Sequence, residues 1–140
     1  MWGLLSERYL WVEIPKEPLE NRSLRKYIQI INDWGTWDLF QELLVTLKEI
    51  ADTKNVTLSE LAIAWVLNQK AVSSVILWVR NTDYIWSLEK ILSVEFNSLE
   101  LNRIDEIYFK WSELSWDVFD LERYEPRHRD IMKFNLNKKS

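Results

Sequence analysis

Residues 57–96, TLSELAIAWVLNQKAVSSVILWVRNTDYIWSLEKILSVEF, contain the change of hydrophobic pattern that decides the fold prediction. The first eleven residues carry apolar side chains at helical spacing and begin with Thr57 and Glu60, which have the spacing of a capping box. The segment AVSSVILWV, residues 71–79, is too short for a helix and is rich in β-branched residues. The pattern therefore predicts a helix followed by a buried strand.

A second helix and a second strand follow directly. Asn81, Thr82 and Asp83 have the residue types that cap a helix, and SVEF at 93–96 is a further, very short strand. Two short strands separated by a helix indicate a parallel βαβ unit. Such a unit belongs to a larger parallel sheet, and two strands are too few to form that sheet.

The flanking sequence is predicted to be mainly helical. Residues 38–52 have the most regular helical spacing of apolar side chains, and Asn55 is expected to be the left-handed residue after that helix. Another helix begins at Ser98. We therefore predict a helix-rich α/β protein with about five helices and two short parallel strands. Residues 1–112 are expected to hold the barrel elements described below, beginning with a loop-rich segment at 1–37. Residues 113–140 are expected to form a partly helical tail with one short helix that ends at Pro126.

The composition favours a soluble globular protein. Hydrophobic residues make up 47% and charged residues 29%, and no apolar run approaches the ~20 residues of a membrane span. The N-terminus has no basic leader and no small-residue cleavage site, which predicts a cytoplasmic location. The absence of cysteine excludes disulfides and thiolate metal sites.

The charge distribution gives only a weak indication about partners. Residues 121–140 carry six Lys/Arg against three Asp/Glu, whereas the first 120 residues carry 12 against 19. A basic tail this short is usually solvated, so we expect no nucleic-acid binding. The chain has only two glycines, although loops that bind phosphate are usually glycine-rich.

Other candidate sites are weak. His128 is the only histidine, so the sequence predicts neither a catalytic triad nor a histidine metal site. Asp117 and Asp120 lie one helical turn apart, which is common on solvated faces. Arg127 and Arg129 flank His128, and we expect these three side chains to form a solvated basic cluster.

Nine tryptophans are a high number for 140 residues. Trp2, Trp11, Trp34 and Trp37 lie in the N-terminal segment, where large aromatic side chains need a surface to cover. They are expected either to cover sheet faces and strand edges or to form an interface with a partner, where tryptophan is enriched.

Residues 39–107 resemble the C-terminal end of the aldo-keto reductases. NVTLSELAIAWVL stands in register with that family's G-T-x-A-Q-L-A-L-x-W-x-L, SSVI and RN with its strand S-V-I-P-G-A-R-N, and SLELNRID with L-S-x-E-x-x-x-x-I-D. WGLLSERYL is similar to the family's loop after the sixth strand. The resemblance implies a C-terminal fragment of a (β/α)8 TIM barrel, which needs ~250 residues to close.

The resemblance also concerns catalysis. The family's catalytic Asp, Tyr, Lys and His lie on the early strands, and its Tyr acts as the acid during hydride transfer from NADPH. The first six strands are not present in these 140 residues. No residue here is assigned to any of the four catalytic roles, and no metal site is expected.

The resemblance places a cofactor site after the strand at 71–79, where the family binds the 2′-phosphate and adenine. Arg80 and Asn81 match the family pattern and are the cofactor-binding candidates, since Arg can bind phosphate in a bidentate manner. Five supporting positions carry other residue types: Leu77 for Pro, Trp78 for Gly, Val79 for Ala or Ser, Ser87 for Glu and Leu88 for Asn. Each lost hydrogen-bond partner costs about 1–3 kcal/mol, so we interpret the site as degraded.

Three functions remain open. The first is a non-catalytic aldo-keto-reductase-like protein that acts through protein contacts, either as a homo-oligomer or with a partner protein that supplies barrel strands. The second is a subunit of a split or truncated NADP-dependent oxidoreductase, which would bind NADP only with its partner chain. The third is a small module that uses Arg80 to bind an anionic ligand. No cofactor is expected for the chain alone.

Overall fold

A computed structural model describes residues 3–16, 19, 22–77, 82–85, 87–110 and 117–131. Short 3-10 helices lie at Glu7–Tyr9 and Thr82–Ile85. No helix in these described ranges is long and apolar enough to cross a membrane. The α-helices of the described residues are α1 (Arg22–Trp34), α2 (Trp37–Thr53), α3 (Leu58–Leu67), α4 (Ser87–Ser93), α5 (Ser98–Tyr108), α6 (Val118–Tyr124) and α7 (Pro126–Arg129).

The predicted helical signals at the α2–α3 connection are confirmed. The prediction of a helix over 38–52 corresponds to α2, and Asn55 has the positive φ of 54° expected after a helix C-terminus. The predicted capping box of α3 is present: Glu60 N–H donates to the Thr57 hydroxyl, and Thr57 N–H donates to the Glu60 carboxylate. These features depend on neighbouring residues, which is why the sequence reveals them.

The core lies between α2 and the elements around it. Helix α2 packs against α5, α3 and α1, and α3 packs against α4. Each fully buried leucine or isoleucine contributes about 1.5–3 kcal/mol through removal of apolar surface from water. The main cluster of buried side chains consists of Leu4, Tyr9, Leu24, Ile28, Ile31, Phe40, Leu44, Leu47, Ile50, Ala51, Leu58, Leu61 and Ile104.

The N-terminal loop is held against α2 by side chains of that helix. Gln41 donates its amide N–H to the Tyr9 carbonyl at 2.9 Å and accepts the Trp11 N–H at 2.8 Å. Trp37 donates its indole N–H to the Val12 carbonyl at 2.9 Å. The loop is therefore ordered by contacts between residues about thirty positions apart in the chain.

Neither predicted strand is a strand in the described residues. Residues 72–77 and 94–97 are irregular, and residues 78–79 of the first predicted strand lie outside the described ranges. A strand needs a hydrogen-bonded neighbour, and no other described segment supplies one. The prediction of a helix-rich protein is confirmed, but the prediction of two parallel strands is wrong for the described residues.

The described part of the C-terminal tail contains two short helices where one is predicted. Helix α6 ends at Tyr124, and Pro126 then occupies the first position of α7. Proline cannot continue a helix but fits its first turn, where its missing N–H has no intrahelical role. Pro126 therefore begins a new helix directly after α6 has ended.

We expect Leu44→Ala to lower the free energy of unfolding by about 2–5 kcal/mol, because it leaves a cavity at a side chain that is 0% exposed. Leu99→Ala is the matched control, since Leu99 is 76% exposed. The control should change the free energy by less than about 0.5 kcal/mol. Urea unfolding measures both, and equal losses would contradict this assignment of the core.

Candidate functional site

The predicted cofactor residues Arg80 and Asn81 lie outside the described residues, together with Trp78 and Val79. The described chain stops at Leu77 and resumes with the 3-10 helix Thr82–Ile85. The cofactor site therefore remains a prediction. The residues that follow it on α4 are described and have definite partners.

Ser87 is the α4 residue that stands where the family pattern has a glutamate. It is half-buried, and its hydroxyl donates toward the carboxylate of Glu60 on α3. Leu88 is also half-buried. The start of α4 thus contributes a contact within the protein at the position that the resemblance assigns to adenine.

Glu60 is a buried carboxylate with several donors around it. Glu60 is 7% exposed, and burial by itself raises the pKa of a carboxyl group. Hydrogen bonds from Thr57 and Ser87, with the positive charge of Lys90, outweigh burial and lower the pKa of Glu60 below its ordinary value of 4.5. The ionised carboxylate therefore joins the N-terminus of α3 to the start of α4.

The N-terminal loop reaches the same end of α3 from another direction. The Leu58 N–H donates to the Glu7 carboxylate at 2.7 Å, and the Ser59 hydroxyl donates to the Leu5 carbonyl at 2.9 Å. A carboxylate at a helix N-terminus satisfies a free N–H group and interacts favourably with the helix dipole. Two acidic residues, Glu7 and Glu60, therefore cap one helix start from distant parts of the chain.

A second polar cluster joins the C-terminal tail to α1. The Nε2 atom of His128 lies 2.6 Å from one oxygen of Asp33, and a guanidinium nitrogen of Arg127 lies 3.0 Å from the other. Hydrogen bonds with Glu125 and then Asp33 raise the pKa of Arg127, and Arg127 lowers the pKa of Glu125. Each oxygen of the Asp33 carboxylate thus binds a different side chain.

His128 is not solvated as predicted. It is 2% exposed, whereas Arg127 and Arg129 are exposed as expected. The Nε2 atom of His128 contacts Asp33, and the buried Nδ1 atom of the same ring has no hydrogen-bond partner among the described residues. The contact joins residues 95 positions apart, so no local pattern in the sequence indicates it.

The carboxylate pair of Asp117 and Asp120 has a structural contact at the start of α6. Asp117 accepts the Asp120 N–H at 2.9 Å and is the N-cap of α6, so this carboxylate pair has a capping role. Within the described ranges, no group of three or more His, Cys, Asp or Glu side chains is suitable for a metal ion.

The N-terminal tryptophans that the structure describes differ in their surroundings. Trp37 packs against Phe40 with ring centroids 5.2 Å apart, and Trp34 meets Tyr108 edge to face at 6.1 Å. Trp11 is exposed. Trp34 and Trp37 therefore cover surfaces of this chain, and Trp11 is the described tryptophan most open to a partner.

Residues 1–108 match the profile of the Aldo/keto reductase family. The chain belongs to this family, because the match covers most of its 140 residues. No curated protein and no solved structure gives a significant match. The family assignment confirms the resemblance seen in the sequence, and α6 and α7 lie beyond the matched residues.

The buried Glu60 carboxylate makes stability depend on pH. Because its folded pKa is lowered, its stabilising contribution is fully present above pH 4.5 and is lost as the pH falls through the folded pKa. We expect Glu60→Gln to lower the free energy of unfolding by about 1 kcal/mol at pH 7. The difference from the wild type should shrink as the pH falls below 4.5.

Urea unfolding at a series of pH values measures this difference. Glu106→Gln is the matched control, because Glu106 is an exposed glutamate of α5. A Glu60→Gln difference that stays constant down to the lowest pH would show that the Glu60 charge has no role in the cap.

Proposed function

We propose that these 140 residues act as a non-catalytic aldo/keto-reductase-like protein that works through protein contacts. The observation that carries the proposal is the irregular segment 72–77. The structure records no backbone hydrogen bond from residues 73–77 to any other described segment, and Ile76 is 91% exposed. Backbone groups that have no hydrogen bond within the described residues, beside an exposed apolar side chain, offer a surface on which a strand of another chain can pair.

Helix α3 supports the same proposal. Its sequence, LSELAIAWVL, is apolar on nearly every side, and helices of this kind are usually covered all round. Leu58, Leu61 and Ala64 are buried within the chain, whereas Val66 is exposed. In a (β/α)8 barrel the helices pack on the outside of the strands. The remaining face of α3 and segment 72–77 therefore fit strands from outside these 140 residues.

The sequence comparison supports a role without chemistry for this chain. The family resemblance assigns none of the four catalytic roles to a residue present here. The cofactor position retains Arg80 and Asn81 but has Trp78 in place of glycine. On this proposal the chain alone needs no cofactor, and it is a homo-oligomer or binds a partner that supplies barrel strands.

We expect the wild-type chain, isolated gently from cells that make it, to have a native mass above that of one chain. Ile76→Asp should reduce the associated fraction about tenfold or more, because burying a carboxylate in the interface is unfavourable unless a positive charge or hydrogen-bond donor lies beside it. Leu99→Asp is the control, since Leu99 is also strongly exposed but lies on α5. Native mass spectrometry gives the stoichiometry and identifies any second chain.

The outcomes distinguish the candidates. A homo-oligomer, or a partner without the family's catalytic residues, that is lost with Ile76→Asp supports protein contacts through this segment. A wild-type chain that stays monomeric at all concentrations and retains no partner contradicts the proposal. A stoichiometric partner with the family's catalytic residues would favour the split oxidoreductase.

The alternative of a split NADP-dependent oxidoreductase is favoured by the match of Arg80 and Asn81 to the family pattern. It requires NADPH binding in the complex, and Arg80→Ala should then weaken that binding about tenfold or more. If our proposal is correct, calorimetric titration with NADPH shows no saturable binding to the chain alone or to its complex with a partner chain. Arg103→Ala controls for charge loss, because Arg103 pairs with Glu49 on the surface.

The module that binds an anion through Arg80 makes a third, separate prediction. It requires saturable binding of inorganic phosphate to the isolated chain and loss of that binding in Arg80→Ala, with no need for a partner. Phosphate binding without NADPH binding would favour this module over both other functions.

A further inference from the structure

Helix α1 has two opposite faces that are covered in different ways. One face is apolar and belongs to the core cluster. Its residues are Leu24, Ile28 and Ile31. The opposite face carries polar side chains at i, i+3 and i+7 spacing, which places them in one row along the helix. They are Lys26, Gln29 and Asp33.

Residues 117–131, here named the C-terminal clasp, bind the polar row at both ends. Lys26 forms an ion pair with Glu122 of α6, and both side chains are mostly buried. Seven residues further along α1, Asp33 binds His128 at 2.6 Å and Arg127 at 3.0 Å. The charges of the two surfaces are complementary at each end.

Few apolar side chains of the described clasp are buried, so its attachment depends mainly on these polar contacts. Among its described residues Leu121 and His128 are buried, whereas Phe119 and Tyr124 are exposed. Two buried polar atoms also lack hydrogen-bond partners within the described part of the chain: Oε1 of Gln29 in the polar row and Nδ1 of His128. Buried polar atoms without partners weaken an interface, so we expect the clasp to be held less strongly than the core helices.

We propose that the C-terminal clasp is a strap that opens as one unit while the rest of the fold stays intact, and that Asp33 controls the opening. The helices α6 and α7 pack against each other, so they move together. Helix α1 keeps its apolar face in the core when the clasp leaves. Opening exposes the polar row of α1 and the His128 side chain to water. This device is independent of the function proposed above.

Hydrogen exchange of the full chain, followed by mass spectrometry, tests the proposal. We expect the slowest amides of residues 117–131 to exchange about tenfold or more faster than those of α2 and α5, through an opening that urea barely accelerates. Added salt should speed exchange in the clasp and leave α2 unchanged, because partly exposed charge pairs are screened.

Asp33→Asn tests the control by the carboxylate. It removes the charge that binds Arg127 and His128, and clasp exchange should rise about tenfold while α2 stays protected. Asp52→Asn is the matched control, because Asp52 pairs with Lys48 on the exposed surface of α2. His128→Gln keeps a donor near the position of Nε2, so it should raise clasp exchange less than His128→Ala.

Two results would overturn the proposal. One is exchange of residues 117–131 at the same rate and with the same urea dependence as α2, which would mean that the clasp opens only when the whole protein unfolds. The other is unchanged clasp exchange in Asp33→Asn, which would remove Asp33 as the controlling group. If Asp33→Asn unfolds the chain, the proposal is tested by the salt dependence of clasp exchange and by the comparison of His128→Gln with His128→Ala.

Discussion

The N-terminus of α3 is the point on which the described fold depends most. Four parts of the chain meet there: the N-terminal loop through Glu7, the α2–α3 turn through Thr57, α3 itself through Glu60, and α4 through Ser87. The first N–H groups of a helix need acceptors, and here two carboxylates supply them. Because Glu60 is also buried, its charge is stable only while these donors remain in place.

The second constraint concerns the irregular segment at 72–77. This segment lies within the residues that match the Aldo/keto reductase family, and its sequence is similar to a strand sequence of that family. The backbone groups of a strand must be bonded to a neighbour, and the described residues offer none. The same segment is therefore irregular in this structure and open to pairing, which is why protein contacts are the function we propose.

The helices and their caps were predictable because their causes are local. The capping box of Thr57 and Glu60, the positive φ of Asn55 and the apolar spacing of α2 all depend on residues within a few positions of one another. The two strands were not predictable in the same way. The β-branched residues at 71–79 favour an extended backbone, but whether that backbone forms a strand depends on a distant partner.

The sequence by itself determined the family, the helix-rich composition of the fold, the bounds of α2 to within a residue, and the starts of α3 and α5. These properties follow from residue types and spacings along the chain. The tertiary structure alone decided that His128 is buried against Asp33, that Glu7 caps α3 and that the C-terminal clasp covers the polar side of α1. Each of these contacts joins residues more than fifty positions apart, and no local propensity specifies which distant side chain will complete a hydrogen bond.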